Sequence, residues 1–356
     1  MKKPTIVLLS AFLSPFRSGA EACAEEVSMR LAGEFDITIV TARLTHRLPE
    51  DDPFRGKVRV VRVGLGLPID KWLFPFLAPF AVWRLKPQVV HAVLESYAGL
   101  ALLLSHFFVP QAKTVLTCQS TNTSFLVAKM HRRADRVTVI SRTLLKRASD
   151  FGRMDALLIP NGVDIDAIRI ACERHPKDPS RILFVGRLEP MKGIDVLLKA
   201  FARLNPAGRA RLRIVGGGSE RERLEGMVKS LGLGERVTFA GYVPSSLVYG
   251  EYAEAEIFCG LSRSEALGNV FLEAQAAGCA VIATRIGGIP DIVEDQRTGI
   301  LLQPEDVEGA VQALELLLSD ARKRAELVDA GRLNAQTYDW SGIAERYAEV
   351  YRSLLS

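Results

Sequence analysis

The chain has 356 residues, 48% hydrophobic and 24% charged, the composition of a soluble globular protein of about two domains. No apolar run reaches the length that spans a bilayer, and the five cysteines form no CxxC pair and no cysteine–histidine spacing, which excludes a structural zinc and fits reduced thiols in a cytoplasmic protein. The net charge of +5 hides an asymmetry: residues 1–160 carry 22 Lys and Arg against 13 Asp and Glu, a net of +9, whereas residues 161–356 carry 24 against 28, a net of −4.

The opening MKKPTIVLLSAFL reads as a first strand, Pro4 to Leu9, and not as a leader, because its apolar run is short and holds Pro4. The turn SPFRSG follows, then a helical pattern from Ala20 to Leu31 that ends near Gly33. Further strands are expected at DITIVT (Asp36 to Thr41), VRVVRV (Val58 to Val63), QVVHAV (Gln88 to Val93), TVLT (Thr114 to Thr117) and RVTVI (Arg136 to Ile140). Between them, KWLFPFLAPFAVWRLKP (Lys71 to Pro87) carries Trp72, Phe74, Phe76, Phe80 and Trp83 among Lys and Arg. A core helix accounts for such a segment, and so does a membrane-interfacial one. With the positive half-charge it points to an anionic partner, here an anionic membrane surface at its inner face.

The run from Ile159 to Ser180 is rich in Pro, Asn, Asp and Gly and reads as a linker. Its Asp164-Ile165-Asp166 has the form of a metal-binding DxD but reads better as a capped helix start. The strand rhythm resumes with RILFVG (Arg181 to Gly186), RLRIVG (Arg211 to Gly216), RVTFAG (Arg236 to Gly241), AEIFCG (Ala255 to Gly260) and AVIAT (Ala280 to Thr284). Helices near Val307 to Leu318 and Ala321 to Gln336 precede a last one from about Ser341 to Leu355. Strands alternating with helices in two halves predict two tandem doubly wound α/β domains, with ligands at the carboxyl ends of the strands and a cleft between the halves.

Three clusters carry chemistry. In SEALGNVFLEAQAAG (Ser264 to Gly278), Asn269 is the expected N-cap and Gly278 the C′ residue of a helix. The N–H groups of Gly268, Asn269 and Val270 then lie at a positive helix end that favours phosphate, with Glu265 just before it and Glu273 in its first turn. Alone, these glutamates read equally well as a solvated loop residue and a dipole-favoured one. In RLEPMKG, Arg187 and Lys192 place two cations at a strand-to-helix turn, which suits a diphosphate. Ser18-Gly19 offers backbone donors before the first helix, where glycine allows close approach.

The motifs IPNGVD (Ile159 to Asp164), FVGRLEPMKGID (Phe184 to Asp195), IVGGGSE (Ile214 to Glu220), FAGYV (Phe239 to Val243), SRSEALGNVFLEAQAAG, GGIPDIV (Gly287 to Val293) and TGILLQP (Thr298 to Pro304) together resemble a retaining, metal-independent glycosyltransferase of family 4 with the GT-B architecture. The first half matches only through the Gly19 turn and QVVHA. The resemblance implies an acceptor-binding Rossmann-like domain at 1–160, a linker at 161–178, a nucleotide-sugar-binding domain at 179–338 and a C-terminal helix at 339–356 packing back on the first domain. It implies that Arg187 and Lys192 neutralise the donor diphosphate in place of a metal. Glu265 would bind the sugar hydroxyls and Glu273 the ribose. Gly268, Asn269 and Val270 would meet sugar and phosphates, the base would rest near Gly241, Tyr242 and Val243, and Gly19 would touch the phosphate. No cofactor is expected beyond the nucleotide-sugar itself, UDP- or GDP-linked, and no nucleic acid. The transferred group is expected to be a hexose or a related sugar, and the acceptor a hydroxyl, lipid-linked or on a cell-surface polysaccharide precursor.

One departure stands out. The family pattern places a histidine after the strand that here reads TVLTCQSTN, and Gln119 occupies that place. A carboxamide can donate and accept but cannot act as a base near neutral pH. His91, the other histidine near a strand end, reads as structural. Two other classes remain: a sugar-nucleotide epimerase on the same fold, and a non-catalytic sugar-nucleotide binder. A dinucleotide oxidoreductase is disfavoured, since SPFRSGAE lacks GxGxxG and no acid clearly ends the second strand.

Overall fold

A computed structural model describes residues 3–14, 19–46, 54, 56–121, 126–205 and 208–356. The chain forms two compact units, residues 1–161 with 340–356, and residues 162–339. No helix among the described residues is long and apolar enough to cross a membrane.

The first unit is built on strands β1 (Thr5–Leu9), β2 (Asp36–Ala42), β3 (Arg59–Val63), β4 (Val89–Val93), β5 (Lys113–Cys118), β6 (Arg136–Val139) and β7 (Leu157–Leu158). They pair in parallel in the order β3-β2-β1-β4-β5-β6-β7. Helices α1 (Gly19–Leu31), α2 (Asp70–Leu85), α3 (Tyr97–Ser105), α4 (Val127–Arg133), α5 (Arg142–Asp150) and the C-terminal α14 (Trp340–Leu355) belong to this unit. Burial on both faces explains the unbroken Val/Ile runs of β1 and β4. The apolar side of α14, with Trp340, Ile343, Tyr347 and Tyr351, packs into a core with Ile6, Leu8, Ala24 and Val27.

His91 shows how this core tolerates polar groups. Its Nδ1 is 2.7 Å from the Tyr351 hydroxyl and its Nε2 2.6 Å from Thr117 Oγ1. Burial pushes its pKa down to about 3, so it stays neutral.

The second unit holds β8 (Asp178–Val185), β9 (Arg211–Val215), β10 (Val237–Gly241), β11 (Ala255–Gly260), β12 (Ala280–Thr284) and β13 (Ile300–Leu302), parallel in the order β10-β9-β8-β11-β12-β13. Its helices are α6 (Ile165–Arg174), α7 (Ile194–Arg203), α8 (Arg221–Ser230), α9 (Ser245–Glu254), α10 (Asn269–Ala276), α11 (Ile289–Ile292), α12 (Val307–Ser319) and α13 (Ala321–Gln336). The strand order reverses direction between β8 and β11, and the crevice outside that switch point is where doubly wound sheets bind ligands.

The segment 161–178 corrects the linker expectation. It belongs to the second unit, and most of it is α6, capped by the Asp164 carboxylate, which accepts from Ala167 N at 3.0 Å. Ile168 is its one fully buried residue, so its apolar signal is slight. The α2 segment is a helix with Pro75 and Pro79 on its buried side beside Phe74, Ala78 and Val82.

Candidate functional site

The candidate site of the second unit lies at the carboxyl ends of β8, β10 and β11. After β8 the chain passes Arg187, turns through a short 3-10 segment (Pro190–Lys192) and enters α7. Gly193 makes the turn at φ 62°, and a Cβ there would lie 1.9 Å from the Leu261 carbonyl oxygen. Only glycine lets this turn approach the end of β11 so closely. The result is that Lys192 Nζ donates to Glu265 Oε2 at 2.5 Å, joining two residues 73 apart in sequence. Both are partly buried, whereas Arg187 is exposed and makes no ion pair among the described residues.

A second glycine seats Glu265. Gly287, at φ 57°, lies against the Glu265 backbone, where a Cβ would stand 1.8 Å from the carbonyl oxygen, and that oxygen accepts from Gly288 N at 3.2 Å. The loop before α10 is thus pinned between the turn before α7 and the one before α11.

Helix α10 begins one residue earlier than the sequence suggested. Gly268 is the cap, at φ 97°, and Asn269 is the first helical residue. Glu273 therefore lies beyond the first turn, which contains no acid. Phe271, Leu272, Ala274 and Gln275 face the core, leaving Asn269, Val270 and Glu273 half-buried on the other side. The buried Tyr252 phenol lies near Glu273, and burial first, then the Glu273 charge, raise its pKa well above the ordinary value. At the end of β10, Gly241 takes φ 73° and its carbonyl accepts from Gly216 N at 2.8 Å. Tyr242 follows it, exposed, and Val243 is half-buried.

One supporting group escaped sequence reasoning. Arg263 forks onto Asp195, Nη1 to Oδ1 at 2.9 Å and Nη2 to Oδ2 at 3.0 Å, and its backbone N–H reaches the Met191 carbonyl at 2.7 Å. Burial raises the Asp195 pKa, but the Arg263 guanidinium outweighs it and the net shift is downward. This clamp ties the Lys192 turn to the Glu265 loop. Its only sequence signal is an Asp in the first turn of α7 and an Arg two residues before Glu265.

In the first unit, Gly19 opens α1, while Ser18 and Asn122 lie outside the described residues. The Gln119 side chain is 8% exposed; its Oε1 accepts from Asn161 Nδ2 at 2.9 Å, and the same amide reaches the Gly19 carbonyl at 3.4 Å. Glu95, at the end of β4, accepts from the backbone N–H of Gln119 at 2.9 Å and of Ser120 at 3.3 Å, and pairs with Arg147. The absence of a cysteine–histidine cluster needs correction: Cys118 Sγ lies 3.3 Å from His131 Nε2, and Glu95 is beside them. The fold joins residues whose spacing gave no signal. The Arg147 guanidinium already holds the Glu95 carboxylate, so a cation there would face a resident positive charge. The other thiols, Cys23, Cys259 and Cys279, are free and buried, and Cys172 is half-buried.

The model of the glycosyl transferases group 1 matches residues 169–334, and that of glycosyltransferase family 4 matches residues 17–167. The chain belongs to glycosyltransferase family 4. This family 4 chain is 35% identical over 236 residues to the GDP-mannose-dependent alpha-(1-6)-phosphatidylinositol monomannoside mannosyltransferase of Mycolicibacterium smegmatis, over 61% of this chain and 62% of that protein. It is 35% identical over 215 residues to the D-inositol 3-phosphate glycosyltransferase of Corynebacterium urealyticum, over 55% of this chain and 51% of that one. The chain thus spans about half to three-fifths of these curated relatives. Its fold is that of sucrose-phosphate synthase from Thermosynechococcus elongatus, with a TM-score of 0.84, 24% identity and 99% of each chain covered. Anabaena HepE in complex with UDP and glucose matches with a TM-score of 0.79 and 19% identity, over 98% of this chain and 99% of that one. The two doubly wound units are those of the GT-B fold.

Proposed function

We propose that this family 4 chain transfers a hexose or related sugar from a UDP- or GDP-linked donor to a hydroxyl acceptor, with retention and without a metal. The observation that carries the reading is the Lys192–Glu265 pair at the β8/β11 switch point, with the exposed Arg187 in the same turn after β8 and Glu265 on the loop that enters α10. Two cations and a helix N-terminus are the charges a diphosphate needs in place of a divalent ion. Glu265 would take the sugar hydroxyls and Glu273 the ribose, with Gly268, Asn269 and Val270 offering backbone groups. Gly241, Tyr242 and Val243 would border the base, and Gly19 and Gln119 would complete the donor contacts.

In the proposed step the bond from the anomeric carbon to the β-phosphate oxygen breaks. The acceptor oxygen bonds that carbon on the same face, and its proton passes to the departing phosphate. Arg187 and Lys192 would stabilise the charge that develops on this leaving group. Gln119 would hydrogen-bond and not act as a base. The relatives whose names include inositol 3-phosphate and phosphatidylinositol monomannoside support a polar hydroxyl acceptor, and the +9 charge of residues 1–160 supports one met at an anionic membrane face.

The test is to incubate the full chain with UDP- and GDP-sugars in EDTA and follow nucleoside diphosphate release and the anomeric configuration of the product. Release from one donor class with the donor's anomeric configuration kept in the product supports the reading. An inverted product, or release only with added metal, contradicts it.

A further inference from the structure

The outer side of α2 is a continuous apolar ridge. Trp72, Phe76, Phe80 and Trp83 recur at helical spacing, and each is more than half exposed, while the opposite side is buried. A soluble surface scatters such residues singly; here they form one stripe. It widens at both ends. The loop before α2 exposes Leu65, Leu67 and Ile69, and beyond α3 the Phe108 ring meets Phe80 at 5.0 Å with Phe107 exposed beside it. The loop is fixed in place: the Asp70 carboxylate accepts from the N–H groups of Leu65, Gly66 and Leu67 at 2.9, 2.7 and 3.2 Å.

Charge decides what covers this face. Alongside the ridge, a groove of about 520 Å³ between β3 and α2 is lined by Arg59, Arg62 and Arg84 together with Leu77 and Phe80. Arg59 and Arg84 are exposed and make no ion pair among the described residues. From residue 56 to 113 the sequence has seven Lys and Arg and two carboxylates, and both carboxylates, Asp70 and Glu95, are buried. Two copies of this chain meeting face to face would oppose these cations to one another. An anionic bilayer instead supplies phosphates for the guanidiniums and an apolar layer for the rings, and Trp with Lys or Arg at its borders is the pattern of an interfacial helix.

We propose that the outer side of α2, with the loop before it, lies in the headgroup region of an anionic bilayer, its aromatic ridge inserted shallowly and the groove of Arg59, Arg62 and Arg84 taking lipid phosphates. This rests on the membrane-facing acceptor proposed above and gives it a surface. The ridge also starts near the carboxyl edge of the sheet: the Trp72 ring meets Tyr97 at 5.2 Å, and Tyr97 meets Phe12, just past β1, at 6.3 Å. An acceptor hydroxyl held at the bilayer surface would therefore reach the strand ends of this unit.

The test uses the full chain with vesicles of phosphatidylglycerol and phosphatidylcholine in equal parts, and of phosphatidylcholine alone. Trp340 is buried, so a lipid quencher reports on Trp72 and Trp83. The expected result is sedimentation with the anionic vesicles that weakens as salt rises, and quenching that is stronger for bromine near the headgroups than deep in the chains. Phe76→Ser with Phe80→Ser should weaken vesicle binding by about tenfold or more, and Arg59→Gln with Arg84→Gln should flatten its salt dependence. Neither pair should change nucleotide affinity. No anionic vesicle binding while nucleotide still binds would overturn this surface and leave transfer to a soluble acceptor standing. Vesicle binding that neither quenches tryptophan nor responds to the ridge variant would also overturn it, as would self-association that the ridge variant abolishes.

Discussion

Lys192 Nζ sits 2.5 Å from Glu265 Oε2, so the cation after β8 and the carboxylate after β11 form an ion pair. A diphosphate on Lys192 would share or replace that contact. The pair therefore sets a balance: Glu265 holds Lys192 in place and competes with the anion for it. Losing the lysine removes a charged hydrogen bond, about 1.5–3 kcal/mol. Losing the glutamate has two opposed effects, which separate by ligand.

Glu265→Ala is expected to weaken a sugar nucleotide while leaving the free nucleoside diphosphate unchanged or slightly tighter, because the sugar contact is lost and a competitor for Lys192 is gone. Glu273→Ala is expected to weaken both ligands, since its proposed partner is ribose. Calorimetric titration of each variant with each ligand checks this; equal losses for both ligands in both variants would reverse the assignment.

Arg263→Ala is expected to lower nucleotide affinity by about threefold or more, although Arg263 lies on the clamp and is not a proposed contact, because the Lys192 turn and the Glu265 loop lose their link through Asp195. Arg263→Lys should recover part of this, as a point charge keeps the attraction but not the fork. Unchanged affinity in Arg263→Ala, with the lysine variant no different, would mean that the turn holds itself.

His91 makes stability pH-dependent. Its folded pKa of about 3 lies below the ordinary 6.5, so between these values the unfolded chain binds a proton that the folded chain refuses. Stability should therefore fall as pH drops from about 6.5, by up to about 1.4 kcal/mol per pH unit from this group. Urea unfolding of wild type and His91→Gln across that range should show the smaller slope in the variant. Identical slopes would assign the proton uptake to other groups.

Gln119→Ala leaves the buried Asn161 amide without its 2.9 Å acceptor, and a cost of about 1 kcal/mol in stability is expected. In an active preparation, turnover should fall modestly while the rate–pH profile keeps its shape, since a carboxamide does not titrate. A profile that changes shape would show that Gln119 controls an ionisation.

The strands were readable because parallel strands buried on both faces are runs of Val, Ile and Leu closed by Gly, as in RILFVG and AEIFCG. Two escaped, β7 and β13, which are two and three residues long and carry too little pattern. The start of α6 was legible in the Asp164 cap, but its extent was hidden by the Pro, Asn and Gly around it and by its single buried Ile168. In the candidate site, Arg187, Lys192, Glu265 and Glu273 could be named from local motifs. The contacts among them could not: Lys192 with Glu265 and Arg263 with Asp195 join residues 73 and 68 apart, through loops whose approach depends on Gly193 and Gly287. The start of α10 was misplaced by one residue because Asn269 has the better capping chemistry, whereas the positive φ at Gly268 makes the glycine the cap.

The central claim is that Arg187 and Lys192 hold a nucleoside diphosphate without a metal. The most direct measurement is calorimetric titration of UDP and of GDP into the full chain in EDTA, for wild type, Arg187→Ala and Lys192→Ala. One nucleotide should bind wild type with EDTA present, and each variant should bind it about ten- to a hundredfold more weakly, the equivalent of a charged hydrogen bond. Binding that disappears on chelation, or that both variants retain in full, would contradict the claim.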